Sequence, residues 1–205
     1  MEPGMSDRAE RVESISDSQL VIRLQTGGLD ALGVLYDRHR ALVFRTALAI
    51  TGDAEAAADL LQDIFLRLHR FSAHIDPLRP LEPWLYRMTT NLSYTWVKRR
   101  QRWFRPLEDV ADWLAGARRD TPAYQVEMND SWRQVQQAVL SLPLAHRGVV
   151  VLYYVNDLSV QEISEILDIP VGTVKSRLHY GRQELRKRLG LLAGEVLPEL
   201  QYEFT

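Results

Sequence analysis

The stretch LSVQEISEILDIPVGTVKSRLHYGRQELRKRL, residues 158–189, decides the fold. Ser159 followed by Glu162 has the spacing of a capping box. In that motif the serine oxygen accepts a free N–H of the first turn, while the glutamate accepts the serine's own N–H. The helix it opens is short, with Ile163, Ile166 and Leu167 on one face. Asp168-Ile169-Pro170 ends it, and a longer helix restarts near Val171 or Gly172. There Val174, Leu178, Gly181, Leu185 and Leu189 recur near the helical period and mark the side that faces a core.

The opposite side of that longer helix carries Lys175, Ser176, His179, Arg182, Gln183 and Arg186, with Tyr180 at its edge. Between Val171 and Gly190 six Lys/Arg face a single acid, Glu184. A cationic helix braced by a short partner is what a helix–turn–helix presents to the major groove of DNA. Charge alone would fit an ordinary solvated helix equally well. The capping box, the three-residue turn and the segregated faces together favour the DNA-binding reading.

Working outward, the 205 residues suit one or two domains, and the 46% hydrophobic content suffices for cores. Net charge is only −2, so the basic helix is a local feature balanced by acid elsewhere. The absence of cysteine removes disulfides, thiolate metal sites and cysteine nucleophiles together, and it fits a reducing compartment. No apolar run approaches the ~18 residues of a membrane span, and the start MEPGMSDRAERVES lacks a signal-peptide core. A cytoplasmic protein without membrane insertion is expected.

No segment alternates at period two, so the chain is predicted to be all-α, with two small helical domains joined by a flexible linker. Residues 1–16 read as a mobile arm. Residues 17–104 read as a first domain, punctuated by Gly27-Gly28, by Thr51-Gly52-Asp53 and by a loop holding Pro77, Pro80 and Pro83. Residues 105–131 read as an acidic linker, with six acids against two arginines after Pro106 and one short helix at Val110–Ala115. Residues 132–190 form the second domain, where Pro143 separates a helix ending near Leu142 from one running to about Val155. Residues 191–205 read as a short tail.

In the first domain, AEAAADLLQDIFLRLHR (54–70) places Ala57, Leu61, Ile64, Phe65 and Leu68 on a buried face. Glu55, Asp59, Gln62 and Asp63 lie opposite, with Leu66 among them. An exposed leucine ringed by acids and an amide suggests a docking patch for a partner. In the next helix, PWLYRMTTNLSYTWVKRRQR (83–102), Leu85, Met88, Leu92 and Trp96 line one side. Arg87, Asn91, Tyr94 and Lys98 line the other, and Lys98, Arg99, Arg100, Arg102 and Arg105 continue it without an intervening acid. A stripe of cations, an amide and an aromatic suits phosphates and unstacked bases.

With these three segments in this order, the chain resembles a group four, extracytoplasmic-function sigma factor of bacterial RNA polymerase, from about Asp17 to Leu189. DAEAAADLLQDIFLRLHR resembles the region-two helix that docks on the β′ clamp. PWLYRMTTNLSYTWVKRR resembles the part that melts and reads the minus-ten element. LSVQEISEILDIPVGTVKSRL resembles region four, which reads the minus-thirty-five element. The resemblance implies core-polymerase binding by Glu55, Asp59, Gln62, Asp63 and Leu66, with Phe65 structural. It implies minus-ten contacts by Phe71, Arg87, Asn91, Tyr94, Lys98 and Arg99, with a flipped base captured in the loop from Phe71 to Pro83. It implies minus-thirty-five contacts by Thr173, Lys175, Ser176, Arg177, His179, Tyr180 and Arg182. Core polymerase (β′ clamp helices and β flap), promoter DNA and an anti-sigma factor are the implied partners, and no cofactor, metal or catalysis is implied.

Two places depart from the family's pattern. The loop reads IDPLRPLEPW where an Arg-Gly-Ser-like sequence is common after Asp-Pro, and Tyr180-Gly181-Arg182 stands where Arg-Ala-Arg is usual. Gly181 costs about 1 kcal/mol of helix propensity against alanine. Two other readings compete. A stand-alone duplex-binding regulator would explain the helix–turn–helix but not the Arg87/Asn91/Tyr94/Lys98 stripe. A helical nucleotide hydrolase would need Glu55, Asp59 and Asp63 as metal ligands, yet that face offers no histidine, and Gly172-Thr-Val-Lys-Ser is no phosphate-binding loop.

Overall fold

A computed structural model describes residues 15–104 and 130–190. The arm before residue 15, the linker from 105 to 129 with its expected helix at Val110–Ala115, and the whole tail lie outside the described residues. Eight α-helices are present among the described residues: α1 (Asp17–Gln25), α2 (Leu29–Thr51), α3 (Ala54–Phe71), α4 (Glu82–Phe104), α5 (Asp130–Leu140), α6 (Leu144–Tyr154), α7 (Val160–Leu167) and α8 (Val171–Leu189). No strand occurs among the described residues, in line with the all-α expectation.

Local chemistry sets the helix ends. Ser16 and Gln19 form a capping box on α1. Gly27, at φ +93°, turns the chain into α2, and Gly52, at φ +71°, ends α2 in the left-handed conformation that glycine adopts without a Cβ clash. One residue later Asp53 caps α3 by accepting the Ala56 N–H at 3.0 Å.

In the first body α1, α2, α3 and α4 enclose Leu20, Leu24, Leu35, Val43, Leu61, Ile64, Phe65, Leu68, Leu81 and Leu85. Asp17 fastens α1 to α2 by accepting from Arg38 and by pairing with His39 Nε2 at 2.6 Å. Asp17, His39 and Glu82 bring one ligand atom each within 4.8 Å of one another. Asp17 is already engaged there by Arg38, and this grouping is not the Glu55/Asp59/Asp63 set of the hydrolase reading.

The second body is built from α5 to α8. Its core of Val135, Val139, Leu142, Val149, Leu152, Ile163, Ile166, Val174, Leu178 and Leu185 continues into Ala49 and Ile50 of α2 and Tyr86 of α4. The two bodies each keep a core of their own and touch through Ala49, Ile50 and Tyr86. That is a correction to the stripe read on α4. Leu85 is buried, and Met88, Leu92 and Trp96 are half-buried, but Tyr86, Thr89, Thr90, Ser93 and Val97 are buried as well. Two faces of α4 are covered, because the second body packs where a solvated face was expected.

Candidate nucleic-acid interface

The capping box of α7 forms as its spacing predicts. The Glu162 N–H donates to Ser159 Oγ at 3.2 Å, and the Ser159 N–H donates to Glu162 Oε2 at 2.8 Å. Hydrogen bonding of the carboxylate by the Ser159 side chain, and then by the Ser159 N–H, holds the Glu162 carboxyl below the ordinary glutamate range. Asp168, at φ +53°, makes the left-handed turn, and Ile169 is tied back by its N–H to the Ser164 carbonyl and by its own carbonyl to Ser164 Oγ. Pro170 then starts α8.

On α8 the apolar positions Val174, Leu178, Gly181 and Leu185 are buried, as expected. Lys175, Ser176, His179 and Tyr180 are exposed, Tyr180 by 60% and edge-on to His146 and His179. Ser176 Oγ donates to the carbonyl of Thr173, itself half-buried. Arg182 is held internally instead: its Nε donates to Tyr154 Oη at 2.7 Å, and its guanidinium stacks on Tyr153 and Tyr154. Arg177 is half-buried and close enough to influence Tyr94. The uncovered face of α8 is thus narrower than the sequence stripe, with Lys175, Ser176, His179 and Tyr180 at its centre.

Along α4, Asn91, Lys98 and Arg99 are exposed. Arg87 faces Asp168 in the turn before α8, at 3.5 Å, an exposed pair worth little in itself. Tyr94, expected in the open stripe, points into the second body. Its hydroxyl is sealed from solvent beside the Gly148 backbone and makes no well-aligned hydrogen bond. Burial pushes its pKa up to about 12, against the opposing pull of Arg177 and Arg147. The hydroxyls of Thr90 and Ser93 are likewise buried without a partner. Phe71, 40% exposed and under the Arg70 guanidinium, opens the loop to Pro83. Gln25 Nε2 pins that loop by donating to the Ser72 and Ile75 carbonyls at 3.0 and 2.8 Å, while Leu78 at its tip is 87% exposed.

On α3 the acidic face around Leu66 is open to solvent. Glu55, Asp59 and Gln62 are exposed, Leu66 is 65% exposed, and Asp63 is half-buried and paired with Arg67 at 3.0 Å. Phe65 packs edge-on against Tyr36 in the core.

Sequence reasoning missed the residues that join the two bodies. The buried Arg147 of α6 donates from Nη1 to the Ile50 carbonyl at 2.7 Å. From Nη2 it reaches the Leu140 carbonyl and, at 3.1 Å, the Leu142 carbonyl. Burial pulls its pKa below the ordinary arginine value. Asn156 Nδ2 donates to Thr46 Oγ1 at 2.9 Å, both residues buried. The one sequence signal was Gly148, a glycine inside an otherwise helical run, which Tyr94 now explains.

Two family models match the chain: Sigma-70 region 2 over residues 35–103 and Sigma-70, region 4, over residues 132–185. The ECF RNA polymerase sigma factor SigW of Bacillus subtilis is 31% identical over 177 residues, spanning 82% of this chain and 93% of its own length. The chain belongs to the extracytoplasmic-function (ECF) sigma factors of RNA polymerase. The ECF sigma factor SigL of Mycobacterium tuberculosis is 35% identical over 158 residues, covering 76% of this chain and 86% of that protein. In fold the chain is similar to the structure of CnrH in complex with the cytosolic domain of CnrY (TM-score 0.63, 22% identity, covering 85% of this chain and 97% of that one). It is also similar to the sigma factor RpoE in complex with the anti-sigma factor NepR from Bartonella quintana (TM-score 0.57, 21% identity, 73% and 91% coverage). As an ECF sigma factor the protein is a non-enzymatic initiation subunit that directs core RNA polymerase to promoters. No helix among its described residues is long and apolar enough to cross a membrane.

Proposed function

We propose that this ECF sigma factor divides promoter recognition between the exposed faces of α4 and α8 and docks on core polymerase through α3. Region two is taken as residues 17–104 and region four as 132–190, with 105–131 as the linker, and with 1–16 and 191–205 as arm and tail. Lys175, Ser176, His179 and Tyr180, with Thr173 and Arg177 at the margins, meet the minus-thirty-five duplex. Arg182 acts there mainly by bracing α8 on α6. Arg87, Asn91, Tyr94, Lys98 and Arg99, with Phe71 and the loop beyond it, take the melted minus-ten strand. Glu55, Asp59, Gln62, Asp63 and Leu66 dock on the β′ clamp helices, and region four meets the β flap.

The observation that carries this reading is the uncovered cationic face of α8 on a capped helix–turn–helix. Lysine and arginine contacts to phosphate set affinity and its salt dependence, while side chains at base edges set sequence. Holding a strand with its bases unstacked costs energy that the pocket must return. Core polymerase fixes the distance between the two DNA-contacting bodies, so binding of the second site becomes intramolecular. The protein acts in the cytoplasm, where its polymerase is. An anti-sigma factor is a further partner, in keeping with the complex reported for RpoE of Bartonella quintana.

Run-off transcription with bacterial core polymerase and a library of promoter fragments tests the assignments. Sequence-specific transcripts that disappear with both Asn91→Ala and Lys175→Ala support them. Wild-type transcription by both variants removes them.

A further inference from the structure

Among the described residues of the second body, Tyr180 is the one large apolar side chain left exposed. It lies in the middle of the uncovered stripe of α8, where exposed Lys175, Ser176, His179, Tyr180 and Gln183 follow the helical spacing of three and four. Ser176 Oγ is committed to the Thr173 carbonyl within the helix. An uncharged aromatic ring thus occupies the centre of a face whose neighbours suit phosphate and polar base edges.

Two imidazoles meet that ring edge-on. The His179 centroid lies 5.7 Å away at an interplanar angle of 73°, and that of His146, from α6, lies 6.3 Å away at 86°. The approach of His146 depends on the next residue of α8. A Cβ at Gly181 would stand 2.6 Å from Val150 Cγ2 and 4.0 Å from His146 Cβ, so the glycine lets α6 come close enough to set His146 beside Tyr180. His146 Nδ1 is buried without a hydrogen-bond partner, so the imidazole is not held there by that nitrogen. Its ring contact with Tyr180 is the use the structure gives it.

In the major groove, base edges are read by hydrogen bonds from arginine, lysine or amide side chains, and by apolar contact with the 5-methyl group of thymine. A ring already fixed by its neighbours can make the second kind of contact with little further loss of side-chain freedom.

We propose that Tyr180 is a specificity residue that recognises a thymine of the minus-thirty-five duplex through its 5-methyl group, with His146 as the residue that positions the ring. This rests on the assignment of the exposed α8 face to that duplex, and it adds the base that the face selects.

The test uses the full chain assembled with bacterial core polymerase on a promoter fragment recovered from the run-off library. Each thymine of its minus-thirty-five element is replaced in turn by deoxyuridine, which keeps the base pair and removes only the methyl group. At one position the affinity should fall about fourfold, the effect of one buried carbon group. Tyr180→Phe should keep that loss and Tyr180→Ala should abolish it. His146→Ala should shrink the thymine-to-uracil ratio, and His146→Phe, which keeps a ring against Tyr180, should restore it. An element with no uracil-sensitive thymine overturns the proposal, as does sensitivity that persists in Tyr180→Ala. Equal loss of affinity in Tyr180→Phe and Tyr180→Ala also overturns it, because the hydroxyl would then carry the contact. A ratio unchanged in His146→Ala removes the role given to His146. Lys175→Ala tests the underlying assignment separately. If it transcribes at the wild-type rate, α8 does not read the duplex and the thymine contact falls with that reading. A transcription defect in Lys175→Ala beside a uracil-insensitive wild type sinks the thymine contact alone.

Discussion

A methyl group at Gly181 would stand 2.6 Å from Val150 Cγ2, so the glycine on α8 is the seat of a valine on α6. The sequence marked Gly181 as a cost, a poor helix former in the middle of a helix. The packing supplies its use, since α6 and α8 approach through it. Gly181→Ala should therefore destabilise the protein by about 1 kcal/mol, with an overpacking cost of about 1–3 kcal/mol offset by about 1 kcal/mol of helix propensity. Urea denaturation reads this as a lower midpoint. Combining it with Val150→Ala should recover part of the loss, and strict additivity of the two changes would argue against this contact.

Glu162 gives the α7 cap a pH dependence with a defined sign. Its folded pKa lies below its unfolded value, so the stabilisation is present above the unfolded value of about 4.3 and is lost as pH falls through the folded pKa. Glu162→Gln keeps an amide oxygen for the Ser159 N–H but removes the titration. Its stability should fall less steeply than wild type between about pH 5 and pH 3 in thermal melts. Parallel curves would show that the carboxylate is not what the cap depends on.

Leu66 should separate binding from folding. At 65% exposed it contributes little to the core, and Leu66→Ala should shift stability by no more than about 0.5 kcal/mol. Affinity for core polymerase should fall about tenfold or more if the leucine is a central docking contact. Unchanged affinity would move the docking surface elsewhere on α3.

Tyr94 should ionise above the ordinary tyrosine range. Its pKa is raised from 10 to about 12, so its contribution to folding stability is full below about 10 and is lost as pH rises through about 12. An absorbance titration of phenolate should show a high-pH component that shrinks in Tyr94→Phe, leaving that of Tyr86, which burial also raises. A titration identical to wild type would mean that the hydroxyl is solvated in solution.

The sequence by itself determined the local architecture. The α7 capping box, the Asp168–Pro170 turn, the Gly52 stop, the buried stripe of α8 and the exposed Leu66 all follow from interactions within a few residues or from a helical period. It also determined which faces carry cations, because charge is written residue by residue. Tertiary structure alone decided which of those faces stay open. Arg182 is turned onto Tyr153 and Tyr154, Tyr94 is sealed against Gly148, and Arg147 crosses to Ile50, a residue 97 positions away. Such pairings depend on shape and desolvation between helices far apart in the chain. Periodicity tells a buried face from an exposed one, but it cannot tell which second body will come to cover it.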